Sequence, residues 1–359
     1  MELNELQQQE TENHFSGNIY IFYACDVGDD INIDNIEAMR AIKKVPQKIR
    51  KYFKNYHVPL AVALPSENHT QCISTKINSF GALSLIYKIP FSKSLKELHK
   101  TFGTTTERCI NQAEFDTRTL YKKIEPHITH PYFSNMNTWY ALIQINPQVN
   151  TDLHKLQTEH GGTIASLLRF ETEKLSEYQI NDIWRAGVGY FHNDLILIDT
   201  DAAFIYDNNY EDLIDLFEFA TIQSLELRYF DRTLDQKLNA IYEGRVKQFP
   251  NQAYIPLIGA FMDNPIDQLG KMKVDISVIT ERLESTIKLA GEPYLSEIYD
   301  HLVENLDLKT WKESIERKLK IIESVQRDYQ HKIETSREDL VSLLILILIF
   351  IEVLFAFKR

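Results

Sequence analysis

Cysteine is nearly absent: Cys25, Cys72 and Cys109 are the only 3 in 359 residues, odd in number and far apart. That excludes a disulfide framework and a cysteine zinc cluster, and it fits a reducing compartment. Positive charge is short as well. With 39 Lys and Arg against 51 Asp and Glu, the formal net charge is −12, a sign that argues against a phosphate backbone as a direct ligand. The local basic run of Lys43, Lys44, Lys48, Arg50, Lys51 and Lys54 reads as a solvated helix face. The first residues, MELNELQQQETENHFSGNIY, lack both the basic start and apolar core of a secretory signal and the Arg-rich character of a presequence. Catalytic signatures are missing too. There is no P-loop, HExxH, kinase set or nucleophile elbow, and Gly187 with Gly189 makes a lone GxG without a third glycine. No cofactor is expected.

Glycine and proline are absent from Leu308 to Phe357, and within that stretch stands the longest apolar run of the chain. Leu340 to Phe357 reads LVSLLILILIFIEVLFAF, in which only Ser342, Glu352 and Ala356 are not Leu, Ile, Val or Phe. At about 1.5 Å per residue it spans roughly 27 Å of helix, enough to cross the hydrocarbon layer even with one acid inside. The expectation is a membrane span with Leu340, Leu344, Leu348, Glu352 and Phe357 along it. Its place suggests a tail anchor: a single-pass membrane protein with the bulk of the chain in the cytosol or an equivalent compartment. Upstream, Trp311, Ile315, Ile322, Val325, Tyr329 and Ile333 recur near a seven-residue spacing, the seam of a coiled-coil or bundle stalk. Partners expected from these features are the lipid bilayer and either a second copy or another protein on the stalk. Glu352 either reaches toward the interface or hydrogen-bonds between neighbouring spans.

The remainder reads as α+β: an N-terminal mixed strand/helix domain, then an all-helical region, the stalk helix and one C-terminal transmembrane helix. The bounds are a disordered polar arm over 1–17, the α+β domain over 18–207, the helical stalk region over 208–339 and the span over 340–357. IYIFYACDV from Ile19 predicts a strand. Apolar Ile36, Met39, Ile42 and Val45 predict a helix from Asp34 to Tyr56 divided at Pro46. Further strands are expected over 58–64, over 80–89 ending at Pro90, and over 139–145. Helices are expected over 92–102, 104–124, 151–170 with a break at Gly161 and Gly162, and 175–184. DLILI and AFIY, at 194–198 and 203–206, predict a hairpin. After Asn208 only helices are expected, over 209–242, 274–289, 293–305 and the stalk. On the first of these, Glu218, Glu226, Arg228, Asp231, Arg232 and Asp235 read as a solvated charged face.

Three stretches carry a resemblance: DLILIDTDAAFIYD (194–207), DLFEFATIQSLELRYFDRTLD (215–235) and ILIFIEV (347–353), with Glu352 as the acid of the span. In this order they resemble the "required for meiotic nuclear division" family. Members usually carry an acid and a Trp at the start of the span, where this chain has Ser342 and Leu343. The resemblance implies a membrane-bound, non-enzymatic organiser; animal mitochondrial relatives are thought to support organellar translation.

Candidate chemistry is sparse. His127 and His130 (HITH) are weak metal candidates, with Asp26, Asp29 and Asp30 as oxygen donors. Glu159 and His160 before the double glycine suggest an oxyanion loop. The reading favoured is a tail-anchored scaffold or tether, oligomeric or partner-bound, more non-enzyme than enzyme. The alternative is a metal-dependent hydrolase-type enzyme with a site assembled across the α+β domain. A transporter-like subunit is the third, opposed by the missing second span.

Overall fold

The fold is built on one strand that is buried on both faces. β1 (His14–Asp26) alternates Phe15, Ile19, Ile21, Tyr23 and Cys25 into one core, while Tyr20, Phe22 and Ala24 face the other way and are buried too. A run without polar alternation is what a strand covered on both sides requires. The computed structural model describes residues 14–28, 30–40, 42–45, 59–63, 71–133, 136–148, 151–191, 193–242, 270, 274 and 293–357. The chain divides into two compact units, 1–229 with 282–309, and 230–281 with 310–359.

In the first unit β1 is followed by β2 (Asp30–Ile31), α1 (Ile33–Ala38), β3 (Leu60–Ala61), β4 (Cys72–Ile77), β5 (Ala82–Ser94) and α2 (Leu95–Ile124). A 3₁₀ turn (Glu125–His127) leads to β6 (Ile128–Thr129), β7 (Asn137–Ile145), α3 (Leu153–Leu168), α4 (Glu177–Arg185), β8 (Leu195–Ile198) and β9 (Ala202–Tyr206). Then come α5 (Glu211–Tyr242) and α6 (Pro293–Asn305). Seven strands form one sheet in the order β3-β4-β5-β1-β7-β9-β8, antiparallel except where β9 lies parallel to β7. Helices α3 and α4 occupy the β7-to-β9 connection, as a parallel pair demands. The first face of the sheet packs on α2, α3 and α4 through Leu98, Phe102, Leu120, Leu156, Ile164, Ile180 and Ile183. The second face takes the first part of α5, where Phe217 stacks on Phe22 and Tyr140, and Ile222 and Leu225 cover Ala24.

Several local expectations change. The helix expected over 34–56 is only the six-residue α1. Lys44 instead bridges Val62, so β pairing has taken over the end of that amphipathic run, and 46–58 lie outside the described residues. The strand expected over 58–64 is two residues long. β5 passes through Pro90 to Ser94; β4 pairs only as far as Tyr87, so the missing N–H falls where, among the described residues, that edge has no strand to bond. The two helices expected over 92–124 are one, opened by a capping box in which Ser94 and Glu97 satisfy each other's backbone N–H groups at 3.3 and 3.0 Å. Gly161 does not break α3. It lets α4 approach, Trp184 Nε1 donating to the Gly161 carbonyl at 3.2 Å. The 194–206 hairpin forms as expected, Leu195 opposite Tyr206. Of the helix expected over 274–289, only Val274 is among the described residues.

In the second unit the later part of α5 meets α7 (Leu308–Phe357), an uninterrupted helix of 50 residues. Lys318 of α7 bonds Asp231 and Asp235, each at 2.7 Å, and Ser314 donates to Asp231 at 2.6 Å.

Candidate functional site

A cleft of about 390 Å³ opens between the first turns of α5 and strands β1, β4 and β5, within the size range of small-molecule sites. Its floor holds Lys76, Ile86, Lys88 and Tyr20; Tyr210, Ile214 and Asp215 form the α5 side, and Val45 and Ile73 the lip. The strand period places Ser84, Ile86 and Lys88 on the same face as Tyr20, toward α5.

At the inner end of the cleft Lys76 is buried and ion-paired to Glu218, with Asp215 at 3.7 Å. Ser84, opposite Lys76 in the β4–β5 register, donates to the other Glu218 oxygen at 2.8 Å. Burial works against the Lys76 ammonium, but Glu218 and Asp215 outweigh it and hold its pKa above the ordinary lysine value. At the outer end a polar chain runs from Gln144 through Asn18 to Tyr210: Asn18 Nδ2 donates to Gln144 Oε1 at 2.9 Å and to Tyr210 Oη at 3.3 Å. Tyr20 and Tyr210 hydroxyls lie 3.1 Å apart, and the Lys88 ammonium sits 5.5 Å from the Tyr20 ring centre. Burial, then the bond to Tyr20, pushes the Tyr210 phenol up to about 12, so it stays protonated.

A second polar cluster lies further along α5. Glu226 is buried, and neither carboxyl oxygen has a hydrogen-bond partner among the described residues. Burial, with the Asp26 carboxylate beside it, pushes its pKa well above the usual carboxylate range. Asp26 accepts from Tyr132 Oη at 2.5 Å, and Tyr132 stacks on Tyr229. The solvated face expected on this helix is corrected in part: Glu218, Glu226 and Asp231 are buried, whereas Arg232 and Asp235 are exposed.

The sequence candidates are dispersed. His127 lies in the 3₁₀ turn, its carbonyl accepting from Asn32 N at 2.9 Å, and His130 carries a left-handed backbone with φ 45°. Asp30 pairs with Thr129 in the β2–β6 ribbon, so these segments do meet. No group of three His, Cys, Asp or Glu suited to a metal occurs among the described residues, and Asp29 lies outside them. Glu159 and His160 sit inside α3, which removes the oxyanion loop; His160 meets Phe15 edge-on at 5.2 Å, and burial lowers its pKa. All three cysteines are free thiols, and burial pushes Cys72 up to about 11.

On α7, Ile315 and Ile322 are buried, Trp311 and Val325 are half-buried, and the side chains of Tyr329 and Ile333 lie outside the described set. Beyond them Glu338–Phe357 is long and apolar enough to cross a membrane, and none of its most apolar window is buried. Leu344, Leu348, Glu352 and Phe357 are exposed along it and Leu340 is half-buried.

A family model described as "Uncharacterized protein MJ0711, N-terminal domain" matches residues 16–212, from within β1 to the first two residues of α5. The chain belongs to this family. An uncharacterized protein of Methanocaldococcus jannaschii, MJ0711, is 28% identical over 170 residues, covering 46% of this chain and 50% of its own length. The chain thus spans about half the length of the curated relative it matches. No solved structure matches it. The family match contains the seven-stranded sheet but for the first two residues of β1, and the Lys76, Lys88, Tyr20 and Tyr210 side of the cleft, but neither Glu218 nor the span. Sequence reasoning missed the cleft because its parts come from six separated segments. The one local signal was Asp215 and Glu218, three apart on the apolar face of α5.

Proposed function

We propose that the protein is a single-pass, membrane-anchored scaffold or tether, whose sheet domain, with the bulk of the chain, lies on the cytosolic or equivalent side and engages a protein partner or a second copy. The observation that carries this reading is α7, one helix running from a buried, ion-paired start at Ile315 and Lys318 into an apolar segment that is wholly unburied. An exposed surface of that size is stable only in a non-aqueous environment. Burial that keeps the cysteine thiols protonated, and the neutralisation of Lys76 by Glu218, favour structure over chemistry for these groups. The likeness of 194–207, 215–235 and 347–353 to the "required for meiotic nuclear division" family supports an organising role of the same kind. Alkaline carbonate extraction of membranes tests the anchor. The full chain is expected to stay in the pellet and a copy lacking 340–357 to appear, folded, in the supernatant. Release of the full chain by carbonate would remove the reading.

A further inference from the structure

Among the described residues, the cleft at the head of α5 has one cation left over. Lys76 is already neutralised by Glu218 and Asp215. Lys88 meets no carboxylate among the described residues; its recorded neighbour is the face of Tyr20. Glu211, at the rim, is exposed, and its charge is screened by solvent.

A second donor follows from proton accounting. A phenol has one proton to give and can accept twice. Gln144 Nε2 donates to Asn146 Oδ1 at 2.8 Å and to the Asp207 carbonyl at 3.1 Å, so its Oε1 is the acceptor that faces Asn18. Asn18 must then present its NH₂ to both Gln144 and Tyr210. The Tyr20 and Tyr210 hydroxyls share one bond in which either can donate, so whichever does, the other phenolic proton has no acceptor in this chain of bonds. Lys88 is close enough to ease the ionisation of Tyr210, so the ammonium and the phenol act on the same region.

Beside the polar lining, which includes Ser74 and Thr75, the cleft carries an apolar and open strip. Ile73 is 53% and Val45 44% exposed, two of the few large aliphatics outside the span to be so, and Ile86 and Ile214 continue the surface inward. We propose that this cleft binds a small amphipathic carboxylate: an apolar body on Ile73, Val45, Ile86 and Ile214, and a carboxylate that accepts from the Lys88 ammonium and from the left-over hydroxyl of the Tyr20–Tyr210 pair. Charge-assisted bonds to a carboxylate fit a donor pair with no acceptor of its own.

The test uses the full chain in lipid nanodiscs and equilibrium dialysis of radiolabelled hexanoate, with protein-free discs as the blank. Saturable retention is expected for hexanoate, and weaker retention for acetate, which lacks the body, and for hexan-1-ol, which lacks the charge. Lys88→Gln is expected to weaken hexanoate binding about tenfold, the loss of one charge-assisted bond. Tyr210→Phe and Ile73→Ser should each weaken it by a smaller factor. Lys88→Arg should retain binding, which separates loss of charge from loss of fold. Retention no greater than in empty discs, binding unchanged in K88Q, or hexan-1-ol held as tightly as hexanoate would each overturn the proposal.

Discussion

Lys76 and Glu218 form a buried ion pair that fastens α5 to strand β4, with Ser84 completing the carboxylate's hydrogen bonds from the neighbouring strand. Such a pair contributes little net stability against an apolar pair of the same shape, yet breaking it on one side strands a charge. Lys76→Met is therefore expected to destabilise the protein by roughly 3–5 kcal/mol. The double variant K76M/E218L should regain most of the loss. Denaturant midpoints of both proteins check this, and a double variant as unstable as the single one would contradict it.

Glu226 gives a pH dependence with a definite sign. Its carboxyl is held well above the unfolded value of about 4.3. Between those two values the folded state keeps a proton that the unfolded chain has released. The contribution is thus fully present below about pH 4.3 and is lost as pH rises toward the folded value. Glu226→Gln should leave stability nearly unchanged at acid pH and raise it at pH 8, by about 1.4 kcal/mol for each unit of the shift. Unfolding curves at several pH values decide it; a Gln variant that is less stable at pH 8 would show a charged, bonded Glu226 instead.

Gly161 is a contact position rather than a helix breaker. A methyl at this site would stand 3.1 Å from Trp184 Nε1, tighter than ordinary packing. Gly161→Ala is expected to gain helix propensity and still cost about 1–3 kcal/mol through overpacking against α4. Tryptophan fluorescence should report a displaced Trp184. A stabilised variant with unchanged fluorescence would mean that α4 gives way freely.

What the sequence made legible follows from what kind of signal each part carries. The β8–β9 hairpin, α5 and the span are written in contiguous residues: Asp199 to Ala202 between two apolar runs, a stripe from Leu213 to Ile241, and fifteen large aliphatic or aromatic residues out of eighteen. The segment after Asp34 carried a helical spacing too, and pairing of Lys44 with Val62 overrode it. Gly161 and Pro90 were misread because each looks like a local breaker, while its neighbour in space makes it useful or harmless. The cleft was illegible because Tyr20, Lys88 and Tyr210 stand far apart along the chain. The inward acids Glu218 and Glu226 are indistinguishable in sequence from a solvated face until the sheet covers them.

Glu352 is exposed on the apolar segment of α7. An acid in hydrocarbon is costly, about 2.5–3.5 kcal/mol on insertion scales at the helix centre, unless a neighbouring span supplies a partner. Glu352→Leu is expected to shift the detergent-solubilised protein toward a smaller assembly in size-exclusion chromatography with light scattering. An unchanged mass would remove Glu352 from assembly and leave it as a group reaching for the interface.

The tethering account is tested most directly by cross-linked affinity purification from isolated membranes, full chain beside a copy lacking 340–357. The account predicts a defined protein partner, or an ordered set of copies joined to one, recovered with the full chain and lost or strongly reduced without the span. Recovery of the full chain alone, or the same partners with and without the span, would contradict it.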